Sequence, residues 1–145
     1  MKIRMSIAAA GTAALLGAGA LVIPVAASAN SATHTLKFIS VTKASVMFSK
    51  AAEGQQNTDV NAAGKTIGFD MLYIAVTSPT TGAVNVTGDF NGGFLYGTGT
   101  INFKTGTFSK GKVTGGTGSF KGATGTIKAR NISKTKTAVT ITYST

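Results

Sequence analysis

Cysteine and tryptophan are missing from the 145 residues, histidine occurs once, proline twice and acidic residues only four times. Each scarcity removes a class of protein. Without cysteine there are no disulfides, so the fold must stand on its core, even in a compartment that would permit staples. A lipid-modified N-terminal cysteine is excluded for the same reason. His34 is the single histidine, it sits near the start of the predicted mature chain, and no G-x-S-x-G exists, which leaves no nucleophilic triad. Four scattered acids and one histidine make no cluster with metal-ligand spacing, so no metal and no cofactor is expected. "DVNAAGKT" (59–66) ends like a nucleotide-binding loop, but Asp59 stands where the first glycine must be. "GTGSFKG" has one residue too many before its last glycine for a dinucleotide turn.

What is present begins with a processing signal. Lys2 and Arg4 precede an uncharged stretch from Ile7 to Ile23, and "VAASAN" then places Ala27 and Ala29 at the small-residue positions of a cleavage site. A permanent anchor is the rival reading. The stretch falls short of the ~20 apolar residues that span a bilayer, contains three glycines and is closed by Pro24. The expectation is a signal peptide over 1–29 and an exported protein over 30–145, with no transmembrane segment in the mature form. The remainder is enough for one domain and too few for two.

Charge is distributed unevenly along that domain. Lysines 37, 43, 50 and 65 balance Glu53, Asp59, Asp70 and Asp89, whereas Phe90 to Thr145 carries eight basic residues and no acid. Such a field attracts anions, among them envelope polymers, or simply keeps a β protein soluble. Specific nucleic-acid binding is not expected. Arg130 is the one arginine left after maturation, and no stacking aromatics are interleaved with the lysines.

No convincing helical period follows residue 30. Threonine, valine, isoleucine and phenylalanine, punctuated by glycine, spell strands and turns. Strands are predicted at 35–48 (one long or two short), 69–77, 84–90, 94–103, 107–114, 126–133 and 138–143. The polar segment 49–66 reads as a long loop that could hold one helical turn near Ala51. Seven or eight strands joined by hairpin-length turns indicate a closed antiparallel up-and-down barrel of about eight strands. "FDMLYIAV" is apolar on both faces, as a strand between a filled lumen and a packing surface would be. Gly97 and Gly99 empty alternate positions on one strand face, where a closing strand bends.

"VTGGTGSFKGATGTIKARN" (113–131) resembles the glycine-rich segment of the allene oxide cyclase and dirigent families, G-G-[ST]-G-x-[FY]-x-x-A-x-G, through Gly115, Gly116, Thr117, Gly118, Phe120, Ala123 and Gly125. "GKTIG" before a hydrophobic strand and the closing "TAVTITY" are similar to further parts of that pattern. The likeness covers roughly residues 36 to 143. It implies an eight-stranded, calycin-like barrel with a mostly apolar interior, and a homo-oligomer as its usual state. On physical grounds Gly115, Gly116 and Gly118 can adopt positive φ, Gly122 and Gly125 permit close approach, and Phe120 can plug one barrel end.

Asp70 shares a strand face with Leu72, Ile74 and Val76, and the resemblance turns that face inward. A carboxylate at the edge of an apolar cavity has its charged form disfavoured and becomes an acid/base candidate; the plainer alternative is a rim aspartate capping the turn after Gly68. Arg130 is the second catalytic candidate, as a partner of an acidic ligand or of Asp70, against an outward charge beside Lys128. Tyr73 and Tyr96 could aim hydroxyls at a bound molecule or pack on the outer face. One departure weakens transfer of the family's chemistry: "TLKFISVTKASVMF" has no acid where its enzymes carry them. Three functions follow: a secreted barrel binding a small apolar or aromatic molecule, a cyclase or dirigent-like enzyme, and a cationic protein attracted to anionic envelope polymers.

Overall fold

Residues that alternate in the sequence alternate across a wall. Along the strand Thr66–Ser78, Gly68, Asp70 and Ile74 are buried while Phe69, Met71 and Tyr73 face outward, the period of two that a pleated strand imposes. The computed structural model describes residues 32–145, and the signal peptide expected over 1–29 lies outside the described residues. Eight strands run in order: β1 (Thr33–Ser49), β2 (Ala52–Val60), β3 (Thr66–Ser78), β4 (Thr81–Phe90), β5 (Gly93–Asn102), β6 (Thr107–Gly116), β7 (Thr124–Asn131) and β8 (Lys136–Ser144). Each pairs antiparallel with the next, and β8 pairs back onto β1, from Thr33 opposite Ser144 to Val41 opposite Lys136. The expected closed up-and-down barrel is the observed one.

The sequence reading misplaced one wall. Residues 49–66, expected as a loop, contain the nine-residue strand β2. Gly54, Asn57 and Asp59 within it are residue types that strands usually avoid. The ladder overrides that preference, because β2 is hydrogen-bonded on both sides, with Asp59 opposite Ser40 of β1 and Gly68 of β3. The long segment 35–48 is a single strand, with a register shift between Thr42 and Ala44. Beyond the shift Val46 and Phe48 are exposed on the outer wall.

One end of the bore is filled by aromatic rings. Phe38 meets Phe90 at 5.5 Å between centroids, Phe90 meets Phe120 at 6.2 Å, and Phe120 meets Tyr143 at 5.5 Å. All are tilted or edge-on, the favoured arrangement for π-systems. Space for Phe90 comes from Gly68 and Gly88, where an added Cβ would lie 2.7 and 2.6 Å from its ring. Gly97 and Gly99 act alike: a Cβ at these positions would strike Ile127 and the Phe108 ring.

The glycine-rich segment explains how Phe120 arrives there. After β6 the chain makes a short 3-10 turn, Gly118–Phe120, with Gly118 at φ +57°. The turn is tied to the β4–β5 hairpin by Thr117 N donating to Phe94 O (2.8 Å), Ser119 N to Gly92 O (2.8 Å) and Phe94 N to Thr117 Oγ1 (3.0 Å). Gly116, expected at positive φ, lacks it; what it supplies is room, since a Cβ there would lie 2.5 Å from Phe94 O and Phe120 Cβ. Gly125 lets β7 pass close to β8, where a Cβ would run into the Thr142 carbonyl oxygen.

That last contact is backbone and cannot yield. Gly125→Ala should therefore cost about 1–3 kcal/mol, and Thr126→Ala, next to it on the exposed face, less than about 0.5 kcal/mol. Equal unfolding midpoints for the two variants in urea would contradict this packing.

Candidate functional site

Above the aromatic plug the bore opens into a cavity of about 80 Å³, walled by apolar side chains such as Leu72, Val84, Val86, Leu95 and Phe108. A further space of about 100 Å³ toward the open end shares Gln55, Leu72, Val84, Phe108 and Thr137 with it, so the two form one lumen. One side of the inner cavity is polar. Ser40 from β1, Asn57 from β2 and Asp70 from β3 converge there, and all three are buried.

Strand register brings them together. Asn57 stands directly opposite Asp70, and Ser40 stands opposite Asp59, the residue two positions further along β2. Asp70 accepts a hydrogen bond from Ser40 Oγ at 2.6 Å through Oδ2 and one from Asn57 Nδ2 at 2.6 Å through Oδ1. Both are short, as expected when the acceptor is ionised.

Asp59 completes the group and is fully buried. Its cross-strand neighbour is Gly68, whose missing side chain is replaced by the Phe90 ring, so no water reaches it from that side. As a carboxylate, neither of its oxygens has a donor to accept from. As an acid it can donate to Asp70, which lies within hydrogen-bonding range. Burial first, then the hydrogen bond to Asp70 and the repulsion of its charge, push Asp59 from 3.8 up to about 8; the Ser40 hydroxyl pulls the other way. Asp59 is therefore kept in its acid form at neutral pH, with its proton available to Asp70. Such a pair can take up or release a proton within the lumen.

The expected site residues divide cleanly. Asp70 faces the lumen with Leu72 and Ile74, and it caps no turn. Arg130 does not join it: Ala129 lines the cavity, so strand alternation turns Arg130 outward, where it is exposed. Tyr73 and Tyr96 are likewise corrected from lumen to outer wall, since they alternate with Leu72 and Leu95. Tyr73 instead stacks on Phe48 with centroids 6.3 Å apart. Val76 is exposed beyond Ile74, at the shift in register between Val76 and Ser78. Ser40, Asn57 and Asp59 escaped the sequence reading. The signal was the period-two series Gln55, Asn57, Asp59, hidden within a segment whose outward face is polar as well.

The comparisons agree on the fold. No protein-family model matches the sequence, and no curated protein matches it. Among solved structures the chain is similar to pyocyanin demethylase, with a TM-score of 0.62 and 16% identity over 77% of this chain and 100% of that one. It is also similar to AbnU, an exo-specific intermolecular Diels-Alderase, with a TM-score of 0.61 and 9% identity over 77% of this chain and 98% of that one. A third likeness is to the Diels-Alderase AbmU from Streptomyces koyangensis, with a TM-score of 0.59 and 11% identity over 82% of this chain and 71% of that one. At these identities the shared property is the small eight-stranded barrel.

The raised Asp59 fixes a pH dependence. Its folded value, about 8, exceeds its unfolded value, near 3.8, so the folded state holds the extra proton between them. The resulting stabilisation is complete below the lower value and is lost as pH rises through the upper one. Wild-type stability should fall across that window by up to about 1.4 kcal/mol per pH unit from this group. Asp59→Asn should remove that slope and exceed the wild type in stability in mild alkali. Parallel stability–pH curves for the two proteins would rule out the shared proton.

Proposed function

We propose that the protein binds a small apolar or aromatic molecule in its lumen, with the Asp59–Asp70 pair at one side of the bound ring. The observation that supports this is the geometry of the bore: sealed by aromatics at one end, greasy along most of its wall, and polar at one place. Size narrows the class. Sites for drug-sized ligands run to roughly 300–1,000 Å³, whereas an apolar cavity near 150 Å³ accepts benzene. The inner cavity of about 80 Å³ and its continuation of about 100 Å³ together suit a single ring. The reading includes export, for which residues 1–29 are the support.

A second reading is enzymatic and rests on the shared proton. A buried acid pushed up to about 8 is poised for proton transfer near neutral pH, and the fold neighbours named above include a demethylase and Diels-Alderases. The runner-up is thus a barrel that steers a reactive intermediate by shape, with Asp70 exchanging the proton and Asp59 holding it in reserve.

Native mass spectrometry of the purified protein should reveal a co-purifying small molecule. Leu72→Phe, which fills the lumen, should weaken its binding about tenfold or more, while Tyr73→Ala on the outer wall leaves it unchanged. The reverse pattern would move the site out of the bore. Returned to the protein, the recovered molecule is converted under the second reading, about 10²- to 10⁴-fold more slowly by Asp70→Asn. Under the first it comes back intact.

A further inference from the structure

We propose that the lumen selects a small aromatic cation, a ring bearing an ammonium or amidinium group, over a neutral ring of the same size. This rests on the lumen-binding function above and names the chemical class it takes.

The first ground is charge. The carboxyl pair keeps one negative charge when it shares one proton, and that charge faces an otherwise uncharged cavity. Among the described residues no lysine or arginine lines the inner cavity, and Lys134 reaches only the outer space at the open end. The chain as a whole carries a formal charge of +10, yet none of the cations among the described residues lines the wall that holds Asp70. A buried charge without a counter-charge is costly, and a bound cation offsets that cost.

The second ground is direction. Asn57 is 3% exposed, and its amide is oriented by donating Nδ2 to Asp70. The opposite amide orientation would set oxygen against carboxylate. Its Oδ1 is therefore fixed in place and has no partner, on a residue that lines the cavity. Asp70 accepts from Ser40, Asn57 and the Asp59 acid, which still leaves room among the roughly four lone-pair sites of a carboxylate. The Ser40 hydroxyl proton and one Asn57 amide proton are already committed to Asp70. What the polar wall still presents to the cavity is the Asp70 carboxylate, with the unpartnered Asn57 Oδ1 buried beside it. A positively charged N–H donor group satisfies that carboxylate. A neutral hydrocarbon does not, and an anion is repelled.

The third ground is the rest of the wall. Leu72, Val84, Leu95 and Phe108 enclose the same space, so the donor group must be carried by a compact apolar body. Ring and cation together describe an arylalkylamine or an arylamidine, the type of molecule the cavity fits at one end and pairs at the other.

The full-length protein, titrated at neutral pH with benzylammonium, with ethylbenzene as its neutral counterpart and with benzoate as the anionic one, separates the possibilities. Benzylammonium should bind about tenfold more tightly than ethylbenzene or better, and benzoate should not bind detectably. Tyr73→Ala, on the outer wall, should keep the preference. Asp70→Asn should lose it while still taking ethylbenzene, which certifies an intact lumen. Ethylbenzene or benzoate binding the wild type as tightly as benzylammonium overturns the cation selectivity and leaves lumen binding standing. If none of the three binds, both readings fall. The wild-type ratio alone decides the matter should Asp70→Asn fail to fold.

Discussion

Closure of β1 onto β8 is the constraint on which the rest depends. A sheet of this size without disulfides exposes two edges unless its first and last strands find each other. Here nine residues of β1 pair with β8, which closes the eight strands into a ring and creates an inside. Only because there is an inside can a polar strand such as β2 become a place of unusual chemistry. In an open sheet Asn57 and Asp59 would be solvated and ordinary.

Inside the tube, side chains are exchanged between strands rather than stacked within them. Glycines at 68 and 88 receive Phe90, those at 97 and 99 receive Ile127 and Phe108, and Gly116 makes way for Phe120. The bore is thereby filled from one end up to the level of Phe90, and the space above it stays hollow. Asp59 sits at the boundary, pressed against the filled part, while Asp70 looks into the hollow part. Asp59 has no donor to accept from, whereas Asp70 accepts from Ser40 and Asn57, which is how two chemically identical groups acquire different roles.

The sequence disclosed the barrel because its alternation, its spaced turns and its glycine segment all point to one architecture. β3 was readable down to its inward face for Asp70, Leu72 and Ile74. Tyr73 and Tyr96 allowed two readings, a hydroxyl toward a ligand or packing on the outer face, and strand alternation puts them on the outer wall. Arg130, one residue out of phase with Ala129, takes the outward alternative as well. The largest omission was β2. Glutamine, asparagine and aspartate hid it as a strand, and those inward polar residues form the site. Propensity is a statement about ordinary half-buried surfaces, and a strand specialised to line a polar wall departs from it. Asp59, dismissed as a misfit in a nucleotide loop, could be recognised only once register set it against Ser40 and Gly68.

The central claim is that two buried carboxyl groups hold one proton between them at neutral pH. Carbon-13 NMR of the aspartate side-chain carboxyls across a pH titration observes this directly. The account predicts that the Asp59 carboxyl carbon keeps the shift of a protonated acid through neutrality and titrates at about 8. An Asp59 resonance that titrates near 3.8, like a solvated aspartate, would contradict it.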